Sequence, residues 1–164
     1  MKKIVLLLIA AAIVYATFFT EKARLDREVD RLCAIDGGIR VYETVTLPAD
    51  KFDKKYGQIN FYRPTQGENT LGPEYIYKSD MRYYKKGDPS SQGAHVIAMK
   101  RDHIQIIRKS DMQLLGEIVM YYRAGGDLPG PWHHSSYQCP DRSIATEGTL
   151  LEKVFKKSLE GDKK

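Results

Sequence analysis

The chain opens on an unbroken apolar run, Ile4 to Phe19, preceded by Lys2 and Lys3 and free of charge until Glu21. From Thr20 to Ile35 the pattern changes: Leu25, Val29, Leu32 and Cys33 recur at helical spacing and charges fill the other faces. This predicts an amphipathic helix, continuous with the apolar run and stopped at Asp36-Gly37-Gly38, where glycine takes up C-cap geometry cheaply. After the stop the period becomes two. Ile39, Val41, Val45 and Leu47 alternate with Arg40, Tyr42, Thr44 and Thr46, which predicts a strand with one buried face, ended by Pro48. Glu43 interrupts that pattern, so it belongs to a sheet edge or to a site.

Further along, Phe52 to Tyr62 fits neither period, and Arg63 to Pro73 collects the residues of a loop. Glu74–Tyr77 and Met81–Lys85 read as strands around a turn at Ser79-Asp80. His95–Met99 and His103–Arg108 read as two more. Lys109 to Met112 then turns the chain into Leu114–Tyr122, the clearest hairpin in the sequence. Ala124 to Pro131 is too rich in Gly and Pro to continue a strand, and an irregular segment is expected through Trp132-His133-His134 to Cys139-Pro140. Leu150, Leu151, Val154, Phe155 and Leu159 return to helical spacing, with Thr149 and Glu152 in capping-box register and Thr146 as an earlier possible start. A helix, a run of strands and a helix describe an α+β fold: an N-terminal membrane or stalk helix, a mainly antiparallel sheet and a C-terminal amphipathic helix. The expected organisation is 1–20 as signal anchor or signal peptide, 21–36 as an amphipathic stalk, and 37–164 as a single α+β domain.

Composition adds the compartment. With 42% hydrophobic residues, 13 Gly and 7 Pro in 164 residues, the chain is neither disordered nor low-complexity. The Lys-Lys start and apolar run have the layout of an export signal. Small residues at Val14-Tyr15-Ala16 would permit cleavage, whereas Phe18 and Phe19 lengthen the run toward a spanning helix, so an uncleaved anchor is the preferred reading. Counted alone, the Lys and Arg on either side argue for the reverse orientation. The exported orientation is preferred because short signals of this kind carry the chain beyond them across the membrane, and because two cysteines in an exported domain pair most simply as Cys33–Cys139. No lipobox, twin-Arg pair or glycosylation sequon is present. The expected location is therefore the bacterial inner membrane, single-pass with the domain in the periplasm, or the periplasm itself if the signal is removed.

Candidate chemistry is sparse. His133 and His134 lie close to Cys139 and Asp141, but the spacing matches no established metal-ligand pattern, and a surface loop with two solvated imidazoles is the simpler reading; no metal and no cofactor are expected. Tyr75, Tyr77, Tyr83 and Tyr84, interleaved with Lys78, Arg82, Lys85 and Lys86, form the densest aromatic and basic stretch. Tyr75 and Tyr77 share a strand face that could stack on sugar rings, although tyrosine is also simply a good strand residue. Nucleic acid is not expected as a partner: beyond residue 20 the balance is 24 basic against 21 acidic residues, or +3. The candidate ligand-binding residues are Tyr75, Tyr77, Tyr83, Tyr84, Trp132, His133, His134 and Glu43. No phosphate loop, nucleophile elbow or HExxH motif occurs.

The stretch Cys33-Ala34-Ile35-Asp36-Gly37-Gly38-Ile39-Arg40-Val41-Tyr42-Glu43-Thr44-Val45, continuing to Leu47-Pro48, resembles the opening of an uncharacterised group of short bacterial proteins with an N-terminal apolar segment. The likeness extends to Leu114-Leu115-Gly116-Glu117 and Cys139-Pro140. It carries no known activity and transfers no functional residue; it implies a bacterial envelope setting and a shared Cys pair. The leading expectation is a membrane-anchored, periplasm-facing accessory or interaction protein without catalytic activity, its partners the inner membrane and an envelope protein. A sugar or cell-wall-fragment binding module using the Tyr-rich strands comes second, and an enzyme built on the His133/His134 loop and Glu43 third.

Overall fold

The computed structural model describes residues 2–87, 93, 95–127, 131 and 133–158, leaving out the side chains of 17–20. Trp132, Leu159, Lys163, Lys164, the segment 88–92, residues 128–130 and the Phe18 and Phe19 side chains therefore lie outside the described residues. The chain is α+β, with a long N-terminal helix, a mainly antiparallel sheet and a short C-terminal helix.

Helix α1 runs unbroken over Lys2–Asp36, so the apolar and amphipathic segments are one element of 35 residues, roughly 52 Å long. Its first part exposes Ile4, Leu7, Leu8 and Ile13, and it is long and apolar enough to cross a membrane, a property that signal sequences share. The strands are β1 (Gly38–Val41), β2 (Val45–Leu47), β3 (Tyr75–Lys85), β4 (Ile97–Arg108), β5 (Gln113–Gly125), β6 (Ser136–Cys139) and β7 (Phe155–Lys157). Helix α2 spans Glu147–Val154. The larger sheet has the order β1-β5-β4-β3, with β6 also paired to β5, and β2 and β7 form a separate parallel pair.

Several expected elements change. The strand foreseen over 39–47 breaks into β1 and β2, because the Tyr42 and Glu43 amides both donate to the Leu115 carbonyl (2.8 and 3.0 Å) and the chain turns off the sheet there. No turn forms at Ser79-Asp80. That dipeptide lies within β3 on its exposed stretch, where short polar side chains cost little. Likewise 95–108 is not two strands: the polar residues Lys100–Asp102 lie within β4, with Arg101 held by Asp36 and Tyr121. The irregular segment before Cys139 contains β6, whose Ser136–Cys139 pairs antiparallel with Ala124–Tyr121. Finally, Thr146 rather than Thr149 caps α2, accepting the Thr149 amide at 3.1 Å. The helix ends at Val154, and Phe155 leaves it to enter β7, opposite Val45.

Packing gathers the chain into two compact units, each assembled from three stretches. The first comprises Met1–Asp36, Arg82–Arg101 and Tyr121–Cys139; the second comprises Gly37–Met81, Asp102–Met120 and Pro140–Lys164. In the first, Leu25, Val29 and Cys33 are buried at i, i+4, i+8, together with Ile97, Met99 and Tyr121. The second is built on Leu115, Ile118, Leu150, Val154 and Phe155, with an aromatic cluster in which Tyr75 meets Phe155 edge-on at 5.0 Å and Phe61 at 6.4 Å. Gly116 is needed there. A Cβ on it would lie 2.8 Å from Val154 Cγ2 and 3.1 Å from the Arg40 carbonyl oxygen.

Candidate functional site

The first unit is fastened by covalent and ionic bonds. Cys33 on α1 and Cys139 at the end of β6 form the expected disulfide, with Cα atoms 5.9 Å apart across 106 residues of sequence. Tyr137, two residues earlier, donates to Asp30 on the same helix at 2.8 Å. At the C-terminal end of α1, Asp36 accepts from Tyr121 (2.7 Å) and Arg101 (2.9 Å). Burial and the neighbouring Asp36 carboxylate push the Tyr121 hydroxyl up to about 12. Nearer the apolar run, buried Arg123 grips Asp26 with two nitrogens (2.7 and 3.1 Å) and donates to the Gly125 and Ser135 carbonyls and the Ser135 hydroxyl. Lys22 pairs with Asp127 at 2.6 Å and Glu21 pairs with Lys85. Burial would raise the Asp127 carboxyl, but Lys22 and the Ser135 amide and hydroxyl outweigh it and hold it at about 2. Each of these charges faces an opposite charge or a hydrogen-bond donor, which makes its partial burial tolerable.

The second unit holds the cleft. Tyr62 donates to Glu147, the first residue of α2, and its ring meets that of Tyr77 on β3 edge-on at 6.4 Å. Burial, followed by the Glu147 carboxylate, pushes both hydroxyls well above the usual phenol range, so they stay protonated donors. This group borders a cavity of about 730 Å³ that also touches Ser79, Asp80, His103 and Gln105. A smaller one of about 330 Å³ shares Tyr62 and Glu147 and is lined chiefly by Phe52, Ile59, Leu151 and Phe155. Behind the larger cleft, His103 Nε2 lies 2.7 Å from Glu117 Oε2, and Tyr42 donates to Glu117 Oε1 at 2.7 Å. Burial would raise the Glu117 carboxyl, but the Tyr42 and His103 hydrogen bonds outweigh it and hold it below its usual value.

The sequence-derived candidates are dispersed. Tyr77 borders the cleft, whereas Tyr75 is buried in the aromatic cluster. Tyr83 and Tyr84 are exposed at the far end of β3, Tyr84 beneath Arg82 (5.5 Å) and 6.2 Å from Tyr121. His133 and His134 are exposed, and Trp132 lies outside the described residues. Glu43 is bound by Arg108 (2.6 and 3.1 Å), which also grips Asp111 of the β4–β5 turn, a clamp that uses its carboxylate structurally. Sequence reasoning missed Tyr62, His103, Gln105 and Glu147. None lies in a motif. Among the described residues, no group of three or more His, Cys, Asp or Glu is arranged to hold a metal ion.

No protein-family model matches the chain, and neither a curated protein nor a solved structure does. The larger cleft sets the Tyr62 and Tyr77 rings beside the Glu68, Asp80 and Glu147 carboxylates, the Lys78 ammonium and the polar groups of His103 and Gln105.

Proposed function

We propose that the chain is a membrane-anchored, periplasm-facing accessory or interaction protein of the bacterial envelope that works by binding and not by catalysis. The observation that carries this reading is the continuity of α1. The helix that bears the exposed apolar run also supplies Leu25, Val29 and Cys33 to the interior of the first unit, and its Glu21 and Lys22, next to the run, are ion-paired within that unit. An anchor joined to its domain through an unbroken, multiply fastened helix holds that domain at the membrane without a slack tether. The disulfide supports an oxidising compartment, since such bonds persist in the periplasm and rarely in the cytosol.

Fusion of a reporter active only outside the cytoplasm to the C-terminus, combined with alkaline extraction of membranes and the mass of the mature chain, tests this reading. Reporter activity, retention in the membrane pellet and a mass that includes residues 1–20 are expected. An inactive reporter on a chain that is nonetheless produced, or a soluble chain lacking those residues, overturns it. Replacing His133 and His134 together is expected to leave the cellular phenotype unchanged.

A further inference from the structure

We infer that the larger cleft of the second unit is a binding site for a short neutral saccharide, with Tyr62 and Tyr77 as ring platforms and Glu147, Gln105, Asp80 and His103 as partners for its hydroxyls. A sugar presents apolar C–H faces and an edge of hydroxyls that both donate and accept. Its site therefore needs aromatic surface beside mixed polar groups, within a cavity in the usual ligand range of roughly 300–1,000 Å³. This cleft, at about 730 Å³, has both.

The carboxylate is the centre of the arrangement. Glu147 has about four lone-pair positions, of which the Tyr62 hydroxyl occupies one. The remainder can accept from ligand hydroxyls. Because Tyr62 commits its hydroxyl proton to Glu147, its ring is held beside that of Tyr77, and the edge-on pair offers carbon surface to a ligand. Gln105 on β4 brings both a donor and an acceptor, as a saccharide hydroxyl requires. His103 is oriented by Glu117 from the other side, which fixes the ring that borders the cleft.

Charge narrows the ligand class. Lys78 is opposed by Glu68, Asp80 and Glu147 around the cavity, so the local balance is negative. A phosphate or carboxylate entering would lose hydration and meet like charge, a repulsion that discriminates against nucleotides, sugar phosphates and acidic sugars. Neutral hydroxyls meet no such penalty.

The test uses the full-length protein in lipid nanodiscs, which avoids detergents with sugar head groups. Chitotriose, cellotriose and maltotriose serve as neutral probes and glucose 6-phosphate as the anionic control, followed by calorimetry and amide NMR. At least one trisaccharide is expected to bind, shifting amides around residues 62–70, 77–80, 103–105 and 147, with no binding of glucose 6-phosphate. Gln105→Ala and Tyr77→Ala should each weaken binding about three- to tenfold, the loss of one neutral hydrogen bond or ring contact. Circular dichroism checks that the variants fold, and Gln105→Ala carries the test should Tyr77→Ala fail to do so. Absence of binding by all three trisaccharides, shifts confined to other residues, tighter binding of the phosphate, or variants equal to the unaltered protein would each overturn the inference. Because the measurement is made on purified protein, a cytoplasmic location would refute the proposed function and leave this result standing.

Discussion

The two units are held together by different chemistry. The first relies on a disulfide and on ionic groups distributed along α1: Lys22–Asp127, Asp26–Arg123, Asp30–Tyr137 and Asp36–Arg101–Tyr121. The second relies on an apolar and aromatic interior around Leu115, Leu150, Val154 and Phe155, with its polar cluster turned to the cleft. Along α1 the buried stripe of Leu25, Val29 and Cys33 is joined by directed bonds from Lys22, Asp26, Asp30 and Asp36. The second unit adds the Glu43–Arg108–Asp111 clamp and the His103–Glu117 pair to an interior built on burial. Dispersion and area burial act in all directions and tolerate an open cleft at one side.

Breaking the disulfide should damage the first unit most. Cys33→Ser, or reduction, removes the constraint on a loop of about a hundred residues and is expected to cost about 4–5 kcal/mol, an upper figure from chain entropy. Chemical denaturation of oxidised and reduced protein measures it. Thiol labelling before reduction should be negligible.

Next comes Arg123. Arg123→Ala leaves Asp26 and two carbonyls without their donor and should cost about 3–5 kcal/mol, whereas the paired change Asp26→Leu with Arg123→Met should recover much of that loss, because it removes the desolvated charges together. Equal losses in the single and double variants would show that the network is itself the main source of stability in this unit. In the second unit the comparable probe is steric. Gly116→Ala should cost about 1–3 kcal/mol by driving a methyl into Val154 and the Arg40 carbonyl, with little effect of pH or salt on the difference.

The smallest effect is the pH response that Asp127 contributes to the first unit. Asp127 has its carboxyl lowered from 3.8 to about 2 in the folded state, so the unfolded chain binds the proton more readily. Its stabilising contribution is complete above about pH 4 and is lost as pH falls toward 2. Melting temperature should therefore drop across that window, and Asp127→Asn should flatten part of the drop. An unchanged slope in this variant would assign the acid sensitivity to other carboxylates.

Much of the fold is legible in local patterns, and the departures from them share a cause. The continuous α1, the β4–β5 turn at Lys109–Met112 and the Cys33–Cys139 pairing all follow from local periodicity, turn residues or the presence of only two cysteines. The departures at Ser79-Asp80 and around Lys100–Asp102 arise where polar residues, which locally resemble breaks, continue a strand. Arg101 stays within a strand because Asp36, 65 residues earlier, is there to receive it. Phe155 leaves its helical pattern because β2 offers backbone partners and the aromatic cluster offers a place for its ring.

By itself, then, the sequence determined the class of the fold, the membrane-compatible helix and the covalent link, since each depends on neighbours in the chain or on a pairing without alternatives. Only the tertiary structure decided which tyrosines face the cleft, that Glu43 belongs to an Arg108 clamp, and that Tyr62 meets both Tyr77 and Glu147. Tyr62 and Glu147 are 85 residues apart and belong to no common periodic element. Their contact exists only because burial of the apolar core brings the two segments together, and no local pattern records that.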